Sequence, residues 1–249
     1  MVSIITPSHN SSKFIAQTIE SVLAQTYERW EMLIVDDMSS DNSIDIIKKY
    51  LQTDKRIRLI KLQNNVGPAL ARNKAIEIAN GKYIAFLDSD DTWLPNKLQV
   101  QIQFMRDNNL LFSYSAYNII DENNNHLKTF HVKNFVSYKE LLKTNIIGCL
   151  TAIYDAEKLG KIFMINTGHE DYVLWLDILK KIGYAKGINE PLACYRIVKK
   201  SVSSNKLKVV MYQWNIYRKI EKLSFFKSIY YILFYAYNGI KKYNFRLKE

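Results

Sequence analysis

Cysteine is scarce: Cys149 and Cys194 are the only two in 249 residues. That excludes a disulfide framework and fits a reducing compartment. Neither the cysteines nor the four histidines stand at zinc-ligand spacing, so no zinc site is expected. Other signatures are missing as well. No G-x-G-x-x-G follows an apolar run and no G-x-x-x-x-G-K-[ST] occurs, which removes a Rossmann dinucleotide loop and a P-loop from consideration. A G-x-S-x-G nucleophile elbow is absent too. There is no low-complexity stretch and no internal repeat. The opening Met1-Val2-Ser3-Ile4-Ile5-Thr6-Pro7 enters a strand with no basic leader, so no signal peptide is expected. The longest apolar run, Leu223 to Ile240, is interrupted by Lys227 and broken at Asn238-Gly239. A spanning helix needs about 20 apolar residues, so a membrane span is not expected.

What is present is an ample core and an uneven charge. Hydrophobic residues make up 48% of the chain, ample for a core, and 249 residues fit one large α/β domain, or one domain with an appendage. The net charge is +11, and ten Lys/Arg against two Glu from Asn205 onward place +8 of it in the tail. An anionic partner for the tail follows, rather than a basic surface throughout.

The first hundred or so residues alternate strand and helix patterns. Val2–Thr6, Met32–Val35, Ile57–Leu62 and Tyr83–Leu87 read as strands. Between them lie a helix with Ile15, Ile19, Val22 and Leu23 on one face, capped by Ser11 or Ser12, and one with Ile44, Ile47 and Leu51, opened by Ser40 or Asp41. A third follows the turn Asn64-Asn65-Val66-Gly67-Pro68 and stops at Gly81. This rhythm predicts a mostly parallel, doubly wound, Rossmann-like sheet. Beyond residue 100 the rhythm changes. A helix through Gln99–Met105 precedes strands at Leu111–Tyr117 and Thr151–Tyr154, with a hairpin-like turn at Asp121–Asn125. A helix opens at Gly168-His169-Glu170-Asp171, a last strand is expected at Leu192–Arg196, and a polar loop at Lys199–Asn205 leads to one or two amphipathic tail helices.

Two strand ends are acidic, Asp36-Asp37 and Asp88-Ser89-Asp90-Asp91. Open α/β sheets bind ligands at the carboxyl ends of their strands. In this topology the two ends are expected on neighbouring parallel strands, lining a cleft whose negative charges call for a cation. Oxygen-only donors favour a hard ion, Mg²⁺ or Mn²⁺. Glu170-Asp171 is a second acidic site; a helix N-terminus stabilises one carboxylate there, and the other has the character of a general base.

In order along the chain, Val2–Asn10, Asp36–Asp41, Asn65-Val66-Gly67 with Ala71-Arg72-Asn73, Asp88–Asp91, Glu170–Trp175, and Tyr195-Arg196 with Ser201-Val202-Ser203 resemble the motifs of family 2 inverting glycosyltransferases, the type that builds bacterial O-antigen, capsule and exopolysaccharide. The resemblance covers residues 2 to about 204 and implies the GT-A nucleotide-sugar-binding fold. It divides the chain into a nucleotide-sugar-binding half (1–100), an acceptor half (101–204) and a basic aromatic tail (205–249). Position by position it implies that Pro7, His9 and Asp37 hold the uracil and ribose of a UDP-sugar and that Arg72 touches the nucleotide. Asp88-Ser89-Asp90 is then the DXD motif, Asp90 the Mn²⁺ or Mg²⁺ ligand and Asp88 its partner. Asp91 is left as the carboxylate that caps the following helix. Asp171 matches the catalytic base with Glu170 beside it, and Arg196 reaches the diphosphate or the acceptor. Two positions depart from the pattern: His9 stands where Tyr is usual, and Met38 where Gly is usual.

The implied reaction is a single displacement that moves a hexose or N-acetylhexosamine onto a hydroxyl of a lipid-pyrophosphate-linked saccharide. A non-catalytic nucleotide-sugar or anionic-membrane binding module is the alternative. Nucleic acid is a poor fit, because most of the excess positive charge lies in the tail and the cleft is acidic. Basic residues bracket the aromatic run Phe225–Tyr237, which suits a helix lying in an anionic bilayer interface, a helix packing its stripe onto the rest of the chain, or both. The expected place is cytoplasmic, peripheral on the inner face of the bacterial plasma membrane.

Overall fold

A computed structural model describes residues 1–198 and 206–244. The expected loop Lys199–Asn205, with Ser201-Val202-Ser203, lies outside the described residues. In chain order the elements are β1 (Val2–Ser8), α1 (Ile15–Leu23), β2 (Trp30–Asp36), α2 (Ser43–Thr53), β3 (Ile57–Lys61), α3 (Pro68–Ile78), β4 (Tyr83–Phe86), β5 (Thr92–Trp93), α4 (Lys97–Asp107) and β6 (Phe112–Ile120). Then come β7 (His126–Phe130), β8 (Phe135–Ser137), α5 (Tyr138–Leu141), a 3-10 turn (Cys149–Thr151), β9 (Ile153–Asp155), α6 (Ala156–Leu159), α7 (Glu170–Ile182) and β10 (Tyr184–Arg196). The tail forms α8 (Lys206–Asn215), a π-helical turn (Ile216–Ile220) and α9 (Phe225–Asn244).

Among the described residues all ten strands join one sheet, with the main path β3-β2-β1-β4-β9-β6-β10-β5. The first four are parallel, as the alternating pattern predicts. Beyond β4 the sheet is mixed: β9 runs antiparallel to both β4 and β6, whereas β10 is parallel to β6. Strand alternation divides the core between two faces. Ile5, Leu33 and Val35 face the cluster covered by α3 and α7, and Ile4, Met32 and Ile34 face the one covered by α1, α2 and α4. That is why the strands read as unbroken apolar runs: both faces are covered.

Several local expectations are corrected. β1 lies between β2 and β4, so the two acidic strand ends flank a strand rather than sit on neighbours. Ser11, Ser12 and Ser40 cap no helix through their side chains, and the N-cap position of α2 is Asn42, but Asp41 does open α2 as expected: its Oδ1 accepts the amide of Ser43, the first residue of that helix. Asp41 also accepts from the Ser12 amide, tying the loop after β1 to the start of α2. α3 ends at Ile78, and Gly81 is held by packing: a Cβ there would stand 2.5 Å from the Ser3 backbone nitrogen. Asp91 caps no helix, because β5 intervenes and α4 starts only at Lys97. β10 is far longer than the Leu192–Arg196 expected. Pro191 and the polar Asn189-Glu190 break its pattern, and the ladder absorbs them as two register shifts against β6.

α9 carries two stripes at helical spacing. Ser228, Tyr231, Ile232 and Tyr235 form the buried to half-buried inner stripe, while Phe226, Tyr230, Leu233, Phe234 and Tyr237 are exposed. Ile216 and Tyr217 belong to the core itself, so the tail is anchored on the sheet-and-helix body. No described helix is long and apolar enough to cross a membrane.

One buried charge stands apart from any carboxylate. Lys97 has no exposed surface; its Nζ donates to Gln101 Oε1 at 2.7 Å and lies 4.6 Å from the centre of the Trp93 ring. Burial pulls its pKa down from 10.5 to about 7. Between pH 7 and 10.5 the unfolded chain binds a proton that the folded chain does not, so this group adds stability as pH rises and costs most at and below pH 7. Lys97→Met is expected to stabilise the protein by about 2 to 4 kcal/mol at pH 7, net of the hydrogen bond lost to Gln101. The gain should shrink toward pH 10, as read by urea unfolding at both pH values.

Candidate active site

Three strand ends and the starts of two helices converge at one edge of the sheet. Asp37, just past β2, is buried, and its carboxylate accepts from the amides of Val66 at 2.7 Å and Gly67 at 2.8 Å. Gly67 holds φ +84°, a conformation that favours glycine, and Pro68 then starts α3. His9 lies exposed at the rim of β1, its Nδ1 donating to the Asp37 carbonyl at 2.8 Å. Pro7 is buried within β1, opposite Val35. Met38 takes the left-handed φ of 60°, so the turn keeps the conformation that makes glycine usual there.

Arg72, on the second turn of α3, is the centre of the cleft. Its Nη2 donates to Asp88 Oδ1 at 2.5 Å, and its Nε is buried with no protein partner. Burial pulls the Arg72 pKa down, but Asp88 foremost, then Cys149 and Asp171, outweigh it and hold the guanidinium charged. Asp171 opens α7 with its Oδ1 on the Tyr172 amide at 2.8 Å, and burial pushes its pKa up against the opposing pull of Arg72. One buried cation thus serves two carboxylates that are far apart in the chain. Glu170 is half-buried and accepts from the Gly168 amide at 3.3 Å.

Asp88, Ser89 and Asp90 are half-exposed, and Asp91 is buried. Burial and the neighbouring Asp88 raise the Asp90 pKa to about 6. A carboxylate so destabilised in its charged form gains from a cation. Among the described residues no group of three or more His, Cys, Asp or Glu is placed to hold a metal ion by itself. Asp88 and Asp90 offer oxygen donors only, chemistry that fits a hard divalent ion taking one or two carboxylates and completing its shell from a phosphate ligand.

Arg196 takes a different place from that expected of it. It is buried and its donors go to protein groups: Nε to the Asp90 carbonyl, Nη1 to the Asp121 carbonyl and Asn124 Oδ1, and Nη2 to Gln17 Oε1. Its backbone N–H donates to Asp91 Oδ1 at 2.8 Å. In this arrangement it pins the acidic loop rather than facing the cleft. The sequence also left unmarked the residues that place Asp171. Asn73 on α3 exchanges two hydrogen bonds with the Met164 backbone, at 2.7 and 2.8 Å, fixing the segment that leads to Asp171. From the tail, the Tyr212 ring packs against Gly168 and meets His169 edge-on at 5.9 Å, and Tyr235 comes within electrostatic reach of Asp171. No spacing rule brings residues 212 and 235 to residue 171.

The architecture is that of the GT-A glycosyltransferases. S. aureus TarS in complex with UDP-GlcNAc superimposes with a TM-score of 0.70 at 20% identity, over 86% of this chain and 66% of that one, so this chain spans just under two thirds of it. The model of the family described as glycosyl transferase family 2 matches residues 3–161, and the chain belongs to that family. Among its relatives is a glycosyltransferase named for teichuronic acid biosynthesis, TuaG of Bacillus subtilis, 45% identical over 97% of each chain. Another is WfgD of Escherichia coli, named as a UDP-Glc:alpha-D-GlcNAc-diphosphoundecaprenol beta-1,3-glucosyltransferase, 42% identical over all of this chain and 97% of that one.

Proposed function

We propose that this protein is an inverting glycosyltransferase that moves a hexose or N-acetylhexosamine from a UDP-sugar to a hydroxyl of a saccharide carried on undecaprenyl diphosphate. Glucose is the favoured donor sugar, given the name of the WfgD relative. The observation that carries the reading is Arg72, which holds the first carboxylate of the DXD motif and acts electrostatically on Asp171 in the same cleft.

Asp171 takes the proton of the acceptor hydroxyl. That oxygen forms the bond to the anomeric carbon as the bond to the β-phosphate oxygen breaks, and UDP leaves with the electron pair. Attack from the face opposite UDP inverts the centre, so an α-linked donor yields a β-linked product. Pro7, His9 and Asp37 bind the uridine, Arg72 neutralises charge beside the diphosphate, and Glu170 shapes the entrance to the base. Asp90 with Asp88 would hold Mn²⁺ or Mg²⁺, an ion that supplies Lewis acidity to a departing diphosphate.

The test is a donor screen with Mn²⁺ and a synthetic GlcNAc-diphospho-lipid, the product linkage read by NMR. A β-linked disaccharide formed from one UDP-sugar, and lost with EDTA, is the expected result. An α-linkage, or UDP-sugar binding without transfer in every combination, would overturn the reading.

The tail carries the protein to its acceptor. Phe226, Tyr230, Leu233, Phe234 and Tyr237 are exposed on α9, with Lys222 and Lys227 exposed at its start. This stripe lies on the anionic inner face of the plasma membrane, so the enzyme is cytoplasmic and peripheral. Phe226→Glu with Leu233→Glu is expected to cut co-sedimentation with phosphatidylglycerol vesicles by at least about tenfold, since each loses about 1.5 to 3 kcal/mol of apolar burial. Equal recovery of variant and wild type would remove the membrane assignment. Deleting the tail is a poorer test, because Tyr212 and Tyr235 border the base segment.

A further inference from the structure

The buried Lys97 is one end of an enclosed polar network. Its ammonium donates to Gln101 Oε1 at 2.7 Å, and Gln101 Nε2 donates to the Thr151 carbonyl at 2.9 Å and to Ser113 Oγ at 3.0 Å. Lys97, Gln101, Ser113 and Thr151 have no exposed surface. Beside them the Trp93 ring, 4.6 Å from the ammonium, donates its Nε1 hydrogen to the Leu150 carbonyl at 2.8 Å. Two carbonyls of the 3-10 turn Cys149–Thr151 are thus held, one from β5 and one from α4.

A lysine fills this space at a cost in stability, because its charge is desolvated without a counter-ion. What it supplies is direction. The Gln101 amide carries an acceptor on one side and donors on the other, and it has nearly the same shape either way round. The Lys97 ammonium can only donate and the Thr151 carbonyl can only accept, so together they fix the amide. Reversed, it would set oxygen against the Thr151 carbonyl and N–H against the ammonium. A methionine at 97 would fill the volume and leave the amide without that constraint.

The turn so held reaches the cleft. Cys149 begins it, half-buried, within electrostatic reach of Arg72 foremost, then Asp88, Asp171 and Asp91. Burial pushes its thiol pKa well up, so the group there is neutral. Trp93, the other anchor, comes directly after Asp91-Thr92, so one network ties the turn to the acidic loop. On the reading proposed above, Asp88 stands on the diphosphate side of the cleft and Asp171 on the acceptor side, and the sugar in transit lies between them.

We propose that Lys97 and Gln101 are positioning residues for sugar transfer: with Trp93 they fix the 149–151 turn relative to the acidic loop, so that Cys149 meets the ring of the transferred sugar. The proposal rests on the transferase reading above. Neither Lys97 nor Gln101 touches the substrate; both act through the backbone of the turn.

In the full chain, Lys97→Met is expected to melt higher than wild type at pH 7 and yet to lower kcat about tenfold, less than the roughly 100-fold that a misplacement of about 1 Å can cost. A residue with a merely structural role would not move the two in opposite directions. UDP affinity should stay within twofold, because the uridine contacts lie at Pro7, His9 and Asp37. Gln101→Glu, which still accepts from Lys97 but cannot donate to the Thr151 carbonyl, should lower kcat as much. A kcat within twofold of wild type in either variant, or rate losses that only follow losses of stability, would overturn the proposal. Alkylation of Cys149 by iodoacetamide, separated from Cys194 by peptide mass mapping, gives a readout free of turnover. At about ten times its Kd, UDP-glucose is expected to slow labelling of Cys149 about tenfold by mass action. UDP at the same multiple of its Kd should slow it less than twofold, and in Lys97→Met the difference between the two ligands should shrink. Equal protection by both ligands, an undiminished difference in Lys97→Met, or a Cys149 that does not react without ligand would each overturn the proposal. If wild type transfers no sugar yet UDP-glucose alone protects Cys149, the transferase reading fails and the sugar contact stands. If transfer proceeds and the two ligands protect equally, the reading stands and this proposal falls.

Discussion

Asp171→Asn is expected to lower kcat by roughly 10² to 10⁴-fold, the range a positioned general base supplies, while UDP affinity stays within a few-fold. Asn keeps the shape and the Oδ1 acceptor for the Tyr172 amide but cannot take the proton. The carboxylate sits in a partly desolvated place, and burial raises its pKa against the counter-pull of Arg72 and His169. Two consequences follow from that sign. The wild-type rate should fall on acidification at a pH above that of an ordinary carboxylate, because the base is lost as it protonates. The ionised form also costs folding stability above its raised pKa, so Asp171→Asn should melt no lower than wild type at pH 7. A variant that loses activity and stability together would point to a structural role; one that transfers sugar at near wild-type rate would remove the base assignment. Stopped-time product assays across pH 4 to 8, with melting curves on the same samples, separate these outcomes.

Arg196→Ala is expected to destabilise the protein by about 3 to 5 kcal/mol, the cost of leaving buried charged and polar groups without their partner. In a chain of this size that lowers Tm by about 6 to 20 °C. The loss should exceed that of an ordinary surface arginine, because four protein acceptors and the face of Phe14 meet this one guanidinium. Transfer should fall too, since the Asp90 carbonyl would lose its anchor and the neighbouring carboxylate its position. Lysine should not rescue it: a point charge with three donors cannot span acceptors that lie around a planar fork. If Arg196→Ala melts like wild type but loses UDP-sugar affinity, the residue faces the ligand rather than the loop.

The sequence by itself determined the sheet's parallel half. Apolar runs such as Met32–Val35 and Tyr83–Leu87 have no polar face, so only a doubly covered strand accommodates them, and their acidic ends fall at the ligand edge of such a sheet. It marked Asp88 at a strand end and Asp171 at a helix start, because both positions are local in the chain. It also showed that the tail is basic and aromatic. What it could not show depends on distant partners. Whether the tail's aromatics pack inward or face out was undecidable from composition, since α9 is apolar on two sides and the fold uses one. A buried arginine and a surface arginine read alike in a sequence, so only the packing of β10 against the acidic loop assigned Arg196 to its inward place. The order β2-β1-β4, which separates the two acidic strand ends by one strand, is likewise a choice among topologies that share the same local pattern. Placement of Tyr212 and Tyr235 beside residues 168–171 is the same kind of fact. It arises from long-range burial of α8 and α9 on the body, a free-energy term to which local sequence contributes no signal.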